Sequence, residues 1–273
     1  MSKIYCITDP AARVAAVIER RPQKWWRLGR WDLASGAYEE GAWFRGTLYP
    51  QRCDLSRGGR WFSYFALKPN SDWPAGETYN AISRLPWLKA LAAWKESGTW
   101  SRGIHFVENP TDGQLYNATV GDATPCTSVC GIVDAEPAQF AVERRRGWRE
   151  SAATPTRDPN DLWDENRDVV MEKPSPVNPK AILSVRGKFQ AFRGLADHWP
   201  PDYYAYILTR NGKPKVLPGI QWADWTFDGH LAQATESGQL SILDIRGKRI
   251  ISVMRLGEDG PKQRKAPLWA EEW

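Results

Sequence analysis

The chain has 273 residues, 42% hydrophobic and 25% charged, a globular balance that excludes a disordered protein. Its net charge of +5 comes from 37 basic residues against 32 acidic ones spread along the chain, which excludes a polybasic arm. No apolar run reaches the ~18 residues of a membrane-spanning helix, and Met1 to Pro10 lacks a secretory apolar core, so a cytoplasmic protein with reduced cysteines and no membrane contact is expected.

Sixteen tryptophans are an unusual load. Each indole buries roughly 150–250 Å² and favours pleated, half-buried positions, so they are expected to fill the core of a β protein, ahead of serving as a ligand platform. In chain order, Asp9-Pro10 is compatible with a helix through Arg21. The alternative, taken here by a narrow margin, is a strand over Val14–Arg20 folded back on Trp25–Leu33. Ser35-Gly36 makes a turn, and Gly41–Tyr49 and Trp61–Leu67 read as strands. Between Pro86 and Ser97, Leu88, Leu91, Ala92 and Lys95 recur at helical spacing with Gly98 beyond them, which predicts one helix. From Glu150 to Lys180 five prolines stand among charged residues with few apolar anchors, which predicts a long loop or insertion.

The last third is a meander. Strands are predicted at Tyr203–Thr209, Pro214–Leu217, Trp222–Thr226, His230–Thr235, Gln239–Ile245 and Arg249–Leu256. Turn residues separate them, among them Asn211-Gly212, whose two central positions suit the positive φ of a tight hairpin. Several strands, such as Trp61–Leu67 and Leu240–Ile245, are apolar without alternation. Strands joined by tight hairpins yet apolar on both faces need both faces covered, which radially packed blades provide.

Two segments repeat. Asp54-Leu55-Ser56-Arg57-Gly58-Gly59-Arg60-Trp61 aligns with Asp224-Trp225-Thr226-Phe227-Asp228-Gly229-His230-Leu231, and a looser copy contains Asp112 and Gly113. In each, Gly59, Gly113 or Gly229 suits a positive-φ turn position and the hydroxyl can bond back to the turn. These segments resemble the Asp-x-Ser-Pro-Asp-Gly-Arg hairpin of TolB-type and WD-like β-propeller repeats, over about eight residues per copy. They depart from it where proline would stand (Arg57, Phe227) and, in the first copy, where aspartate would stand (Gly58). The resemblance implies an all-β propeller in one domain over residues 1–273. The glycine spacing allows about five blades, with six, or a two-sheet sandwich, still open.

Candidate chemistry is sparse. Cys126 and Cys130 form a C-x₃-C pair without a second pair to complete a metal site, so idle thiols are expected and no cofactor. His105, His198 and His230 are isolated, and no serine elbow, phosphate-binding glycine loop or dinucleotide fingerprint is present. Asp158, Asp161, Asp164 and Glu165 on the proline-rich loop read as a solvated acidic stretch. The run Arg144-Arg145-Arg146-Gly147-Trp148-Arg149 reads as a solvated strand end with a turn, the alternative being a phosphate-contacting patch.

The expected function is a non-catalytic interaction module that binds a protein partner as a subunit of a larger assembly. Trp73, Arg144, Arg145, Arg146, Trp148, Trp163 and Trp199 are the candidate contact residues. A carbohydrate-binding or glycoside-cleaving propeller and a nucleic-acid-associated basic protein are the alternatives.

Overall fold

The computed structural model describes residues 3–109, 118–134, 140–155, 168–188, 203–247, 249–262 and 264–273. The first sheet is an antiparallel meander of β1 (Lys3–Thr8), β2 (Val14–Arg21), β3 (Trp25–Asp32) and β4 (Tyr38–Arg45). In the second, β7 (Trp61–Leu67) pairs with both β5 (Thr47–Leu48) and β6 (Asp54–Leu55), and β8 (Thr78–Arg84), β9 (Ala92–Lys95) and β11 (Val120–Gly121) continue it. The third pairs β10 (Ile104–Val107) with β12 (Gly131–Asp134). The fourth runs β13 (Arg149–Glu150), β14 (Asp168–Ser175), β15 (Asn178–Lys188), β16 (Tyr203–Arg210) and β17 (Lys213–Leu217). The fifth runs β18 (Ile220–Trp225), β19 (Leu231–Thr235), β20 (Gln239–Asp244) and β21 (Arg249–Arg255). Two short helices, α1 (Thr124–Thr127) and α2 (Ala141–Arg145), interrupt the strands.

Both faces of these sheets are covered, as the unbroken apolar strands require. In the fifth sheet, Ala232, Ala234, Leu240 and Ile242 face one core, while Ala223, Trp225 and Leu231 face another. The second sheet likewise places Phe62, Tyr64 and Ala66 in the first core and Trp61, Ile82 and Trp94 in a third. Neighbouring sheets touch through their inner strands. β10 meets β6, β6 meets β1, β1 meets β18, and β18 meets β16. The N-terminal sheet therefore packs against the C-terminal one, and the sheets are arranged as the blades of an all-β, propeller-like fold. Eight tryptophans, at 26, 31, 61, 87, 94, 148, 222 and 225, are buried in these layers.

The two repeated segments form related turns, the first longer by one residue. Ser56 and Thr226 each bond their backbone across the turn, Ser56 N–H to the Trp61 carbonyl (2.9 Å) and Thr226 N–H to the His230 carbonyl (2.9 Å). The glycine three residues on closes back in each, Gly59 and Gly229 donating to the Ser56 and Thr226 carbonyls at 3.0 Å with φ of 68° and 78°. The hydroxyls accept from Trp61 N–H (2.9 Å) and His230 N–H (3.0 Å).

A third hairpin of this shape lies in the first sheet, unannounced by the sequence pattern. Asp9 stands where the hydroxyl stands, accepting from Arg13 and Val14 N–H at 2.7 and 3.0 Å, and Ala12 takes the glycine position at φ 52°. The three turns lie side by side. Gly58 N–H donates to the Asp9 carboxylate (2.9 Å), Phe227 N–H donates to the Ala12 carbonyl (3.1 Å), and the Arg13 guanidinium sits 3.9 Å over the Phe227 ring.

Three expectations are corrected. Residues 86–97 hold no helix: Leu85 and Pro86 form a turn, Leu91 N–H donates to the Ile82 carbonyl (2.8 Å), and Ala92–Lys95 pair with Tyr79–Ile82 as β9. Small Ala92 and Ala93 suit a strand buried on both faces, so the helical spacing of the apolar residues was coincidental. The expected 150–180 loop contains β14 and the start of β15, with Val169 and Met171 alternating into the core and Pro174 beside a register shift, where a strand tolerates proline. The arginine run is a solvated strand end only in part: a turn at 146–147 leads to exposed Arg149 at the start of β13, but Arg144 and Arg145 end α2 and Arg146 is buried.

Candidate functional site

The sequence from Phe140 to Trp148 alternates apolar anchors with charge. Phe140 and Trp148 enter one core and Val142 another, which leaves Glu143, Arg145 and Arg146 among the inner strands. Glu143 and Arg146 find hydrogen-bond partners there, while Arg145 leaves two buried nitrogens without one. Arg146 donates from Nε to the Thr8 carbonyl (2.5 Å) and from a terminal nitrogen to Asp54 Oδ1 (2.6 Å) and the Leu55 carbonyl (2.9 Å). Asp54 Oδ2 accepts from Phe106 N–H at 2.9 Å, and Arg145 lies 3.6 Å from Oδ1. α2 and its following residue thus tie β1, β6 and β10 together.

Glu143 makes the second half of this hub. Its carboxyl accepts from the Tyr5 hydroxyl (2.9 Å), and Gln51 Nε2 donates to the same Tyr5 oxygen (2.8 Å). A like arrangement holds the fifth sheet to the fourth, where Lys173 Nζ meets Asp224 Oδ1 at 2.7 Å and Trp225 Nε1 donates to the Lys173 carbonyl at 2.9 Å. The leading acids of the two repeats, Asp54 and Asp224, are therefore both buried and both neutralised, one by α2 and one by β14.

The hub polarises its titratable groups. Burial alone would raise the Asp54 carboxyl, but Arg146 and then Arg145 outweigh it and hold the group at about 2. Burial, then Arg145, pushes the His105 imidazole down to about 3, so it is neutral across the physiological range. Burial raises the Glu143 carboxyl above its ordinary value. Between Tyr5, Glu143, Arg146, Trp148 and Asp224 lies a cavity of about 10 Å³, room for about one water. As a chemical device the hub clamps sheets together, with Asp54 shared by Arg146 and Arg145 and Glu143 held by Tyr5.

The other sequence-predicted residues scatter. Arg144 pairs with Glu150 at 2.7 Å, Trp148 is buried edge-on to Tyr206 with centroids 6.5 Å apart, and Trp73 is half-buried over the second sheet. Arg146 and Trp148 are too deeply packed to present a surface to a partner. Asp228 accepts from the Thr226 hydroxyl and pairs with His230 Nδ1 at 3.0 Å, keeping its turn role. Trp163, Trp199, His198, Asp112 and Gly113 lie outside the described residues, as do Asp158, Asp161, Asp164 and Glu165. Cys126 and Cys130 approach to 3.5 Å between sulfurs, and no group of three or more potential metal ligands occurs among the described residues. Tyr5, Gln51 and Glu143 were not foreseen; the one sequence signal was an acid heading a basic run.

A different surface is open. β21 forms the outer edge of the fifth sheet and leaves Ile250, Ile251 and Val253 exposed at 60%, 41% and 52%. Ile250 and Val253 lie opposite Leu243 and Ser241, and a register shift at Ile251 twists the strand there. Arg249 and Arg255 bound this apolar stretch, each near an acid, Asp244 at 3.6 Å and Glu258 at 3.0 Å. Among the described residues no helix is long and apolar enough to cross a membrane.

No family model and no curated protein matches the chain. Among solved structures it is similar to the WD40 domain of SCAP from fission yeast, with 11% identity and a TM-score of 0.27, over 94% of this chain and 45% of that one. It is also similar to Sqt1 of Saccharomyces cerevisiae, with 10% identity and a TM-score of 0.27, over 93% of this chain and 63% of that one. A third likeness is the β-propeller domain of Cps50 (Swd1) from Myceliophteria thermophila, with 13% identity and a TM-score of 0.23, over 93% of this chain and 55% of that one. The chain thus spans about half the length of the solved structures it matches.

Proposed function

We propose that this protein is a non-catalytic interaction module, a propeller-like scaffold that binds a protein partner along the edge strand β21. The observation that carries this reading is the exposed apolar edge itself, with Ile250, Ile251 and Val253 open on a strand that has no neighbour on its outer side among the described residues. Soluble proteins usually guard such edges with charge, proline or a covering loop, because a bare one pairs with any extended chain. An extended partner segment would take up the free backbone groups of β21 and cover its apolar side chains, in the manner of strand addition. The small hub cavity supports the same reading, since the buried ionisable groups there have no room for a substrate.

The test is crosslinking in the native host followed by recovery of the tagged chain, comparing wild type with an Ile250→Glu/Val253→Glu variant. Both substitutions sit on exposed positions, so the thermal melt should be unchanged. One partner is expected near stoichiometry with the wild type, at least about tenfold depleted with the variant. Recovery of no partner, or of the same partner equally with both proteins, would overturn the proposal.

A further inference from the structure

A cleft of about 410 Å³ opens on the side of the molecule between the first and second sheets, away from the hub and from β21. Local sequence explains its floor. β7 and β8 are buried on both faces, and the side chains that reach the gap toward the first sheet are aromatic, Tyr64 from β7 and Tyr79 from β8. Trp73, on the connection between these strands, leans edge-on against Tyr79 with centroids 4.6 Å apart, and Tyr79 meets Tyr64 the same way at 6.2 Å. Phe44 of β4 closes the opposite wall. The Tyr64 hydroxyl is committed to the Leu88 carbonyl at 3.2 Å, which fixes the floor.

The charged side chains that line the cleft are both lysines, with exposed Asp72 next to the lining residues Ser71 and Trp73. Lys68 and Lys89 line the cleft and both are exposed, and no acidic residue lines it. Neither lysine has an acidic partner among the described residues, and Glu77 close by is engaged by Asn70 N–H at 2.6 Å. The Tyr79 hydroxyl and the Trp73 indole N–H also have no hydrogen-bond partner among the described residues. A concave aromatic floor with a few donors and two lysines at the rim is the pattern of a recognition site for an apolar group carrying negative charge. A volume of this size takes two or three side chains of a chain segment, and the cleft is open, not enclosed.

We propose that the Tyr64–Trp73–Tyr79 cleft is a docking site for a short acidic peptide segment of a partner protein, an aromatic or aliphatic anchor on the aromatic floor and flanking carboxylates at Lys68 and Lys89. This site is separate from β21 and stands without it. The anchor buries its ring edge-on against the floor, where ring edges and faces attract. The carboxylates supply specificity and salt-sensitive steering at the rim.

The experiment is fluorescence anisotropy with a fluorescein-labelled nine-residue peptide of phenylalanine and leucine alternating with aspartate and glutamate. Its controls are a twin with lysine in place of every acid and a twin with serine in place of every apolar residue. The acidic apolar peptide is expected to bind, weakening with added salt, and both twins at least about tenfold more weakly. Lys68→Glu/Lys89→Glu, on exposed positions that leave the melt unchanged, should weaken it about tenfold or more, and Trp73→Ala should do likewise. Ile250→Glu/Val253→Glu should bind it as the wild type does, so failure of the β21 proposal and failure of this one are separate results. Equal binding of the acidic and basic peptides, no binding, or indifference to the lysine reversal would overturn the assignment. So would lysine-dependent binding of phenylacetate without binding of the peptide, since the cleft would then be a small-molecule site.

Discussion

The two sequence repeats fold into related turns, differing by one residue in length, yet are anchored in opposite ways. Asp54 is sealed from solvent and held by Arg146, which reaches it from α2, 92 residues later in the chain, while also binding Thr8 and Leu55. Asp224 meets a single lysine from the adjacent sheet, Lys173, whose side chain keeps 15% of its surface exposed. The turn is a local property, written by a hydroxyl and a glycine three residues apart. The anchoring of its leading acid is a property of long-range packing, and it is tightest where Arg146, just after α2, reaches Asp54.

The sharpest way to break the comparison is to remove each acid in turn. Asp54→Ala leaves Arg146 charged, buried and unpaired and should cost about 3–5 kcal/mol. Asp224→Ala strands a lysine that can turn toward water and should cost about 1–2 kcal/mol. Urea unfolding of both variants measures the two losses. Equal losses would mean that α2 is not the central clamp. Arg146→Met/Asp54→Leu, which removes both charges, should recover much of the single-variant loss.

The hub also separates two acid transitions. His105 sits at about 3 in the folded chain against an ordinary 6.5, so below pH 6.5 the unfolded chain binds a proton that the folded chain refuses. Stability from this residue is complete above pH 6.5 and is lost as pH falls toward 3. The Asp54 contribution is complete above about 3.8 and is lost only as pH falls toward 2. Between pH 7 and 4.5 the wild type should lose about 2–3 kcal/mol on account of His105, a slope that His105→Gln removes and that Asp224→Ala leaves intact. Denaturant midpoints at the two pH values check this. A wild-type stability flat across that window would show that His105 titrates normally and is not sealed in the hub.

How far these features could be read from the sequence follows the same division. The hairpins of the last third were legible to within a residue or two, because Asn211-Gly212, Asp228-Gly229 and Ser237-Gly238 encode their turns locally. Residues 86–97 misled because Leu88, Leu91, Ala92 and Lys95 mimic a helical stripe while the surrounding sheet claims Ala92–Lys95 as a strand between β8 and β11. The strand at 168–175 was hidden by Pro174 and the prolines that flank it, although Val169 and Met171 alternate as a half-buried strand should. The hub was visible only as a cluster of arginines. Whether Arg146 points out to phosphate or in to Asp54 is decided by partners 91 to 138 residues away, which no local pattern reports. The third hairpin escaped because aspartate replaces the hydroxyl and alanine the glycine.

That replacement gives a graded test of the glycine position. A side chain at Gly59 would adopt φ 68° and place its Cβ 2.7 Å from a Val14 methyl, and one at Gly229 would adopt φ 78° and lie 2.3 Å from Val177. Gly59→Ala and Gly229→Ala should each cost about 2 kcal/mol, backbone strain and crowding together. Ala12 already holds this conformation with a Cβ in place, so Ala12→Gly should be neutral or stabilising by up to about 1 kcal/mol, relief of strain set against the entropy of glycine. Thermal melts of the three variants order the effects. A loss on Ala12→Gly as large as that on Gly59→Ala would show that the three turns are not equivalent.

The hydroxyls carry the smallest effect and the finest distinction. Ser56 and Thr226 each accept one amide inside the turn, from Trp61 and His230, and removing the oxygen leaves that amide without its partner, at about 1 kcal/mol. Thr226 also donates to Asp228, but Asp228 is partly exposed and keeps its contact with His230, so losing that bond should add only a few tenths. Ser56→Ala and Thr226→Ala are therefore expected to lower the denaturant midpoint almost equally, although the acids two residues before them differ severalfold in worth. Equal hydroxyls beside unequal acids is the signature of a turn encoded locally and anchored globally. A hydroxyl that could be deleted without effect would instead leave the glycine alone to write the turn.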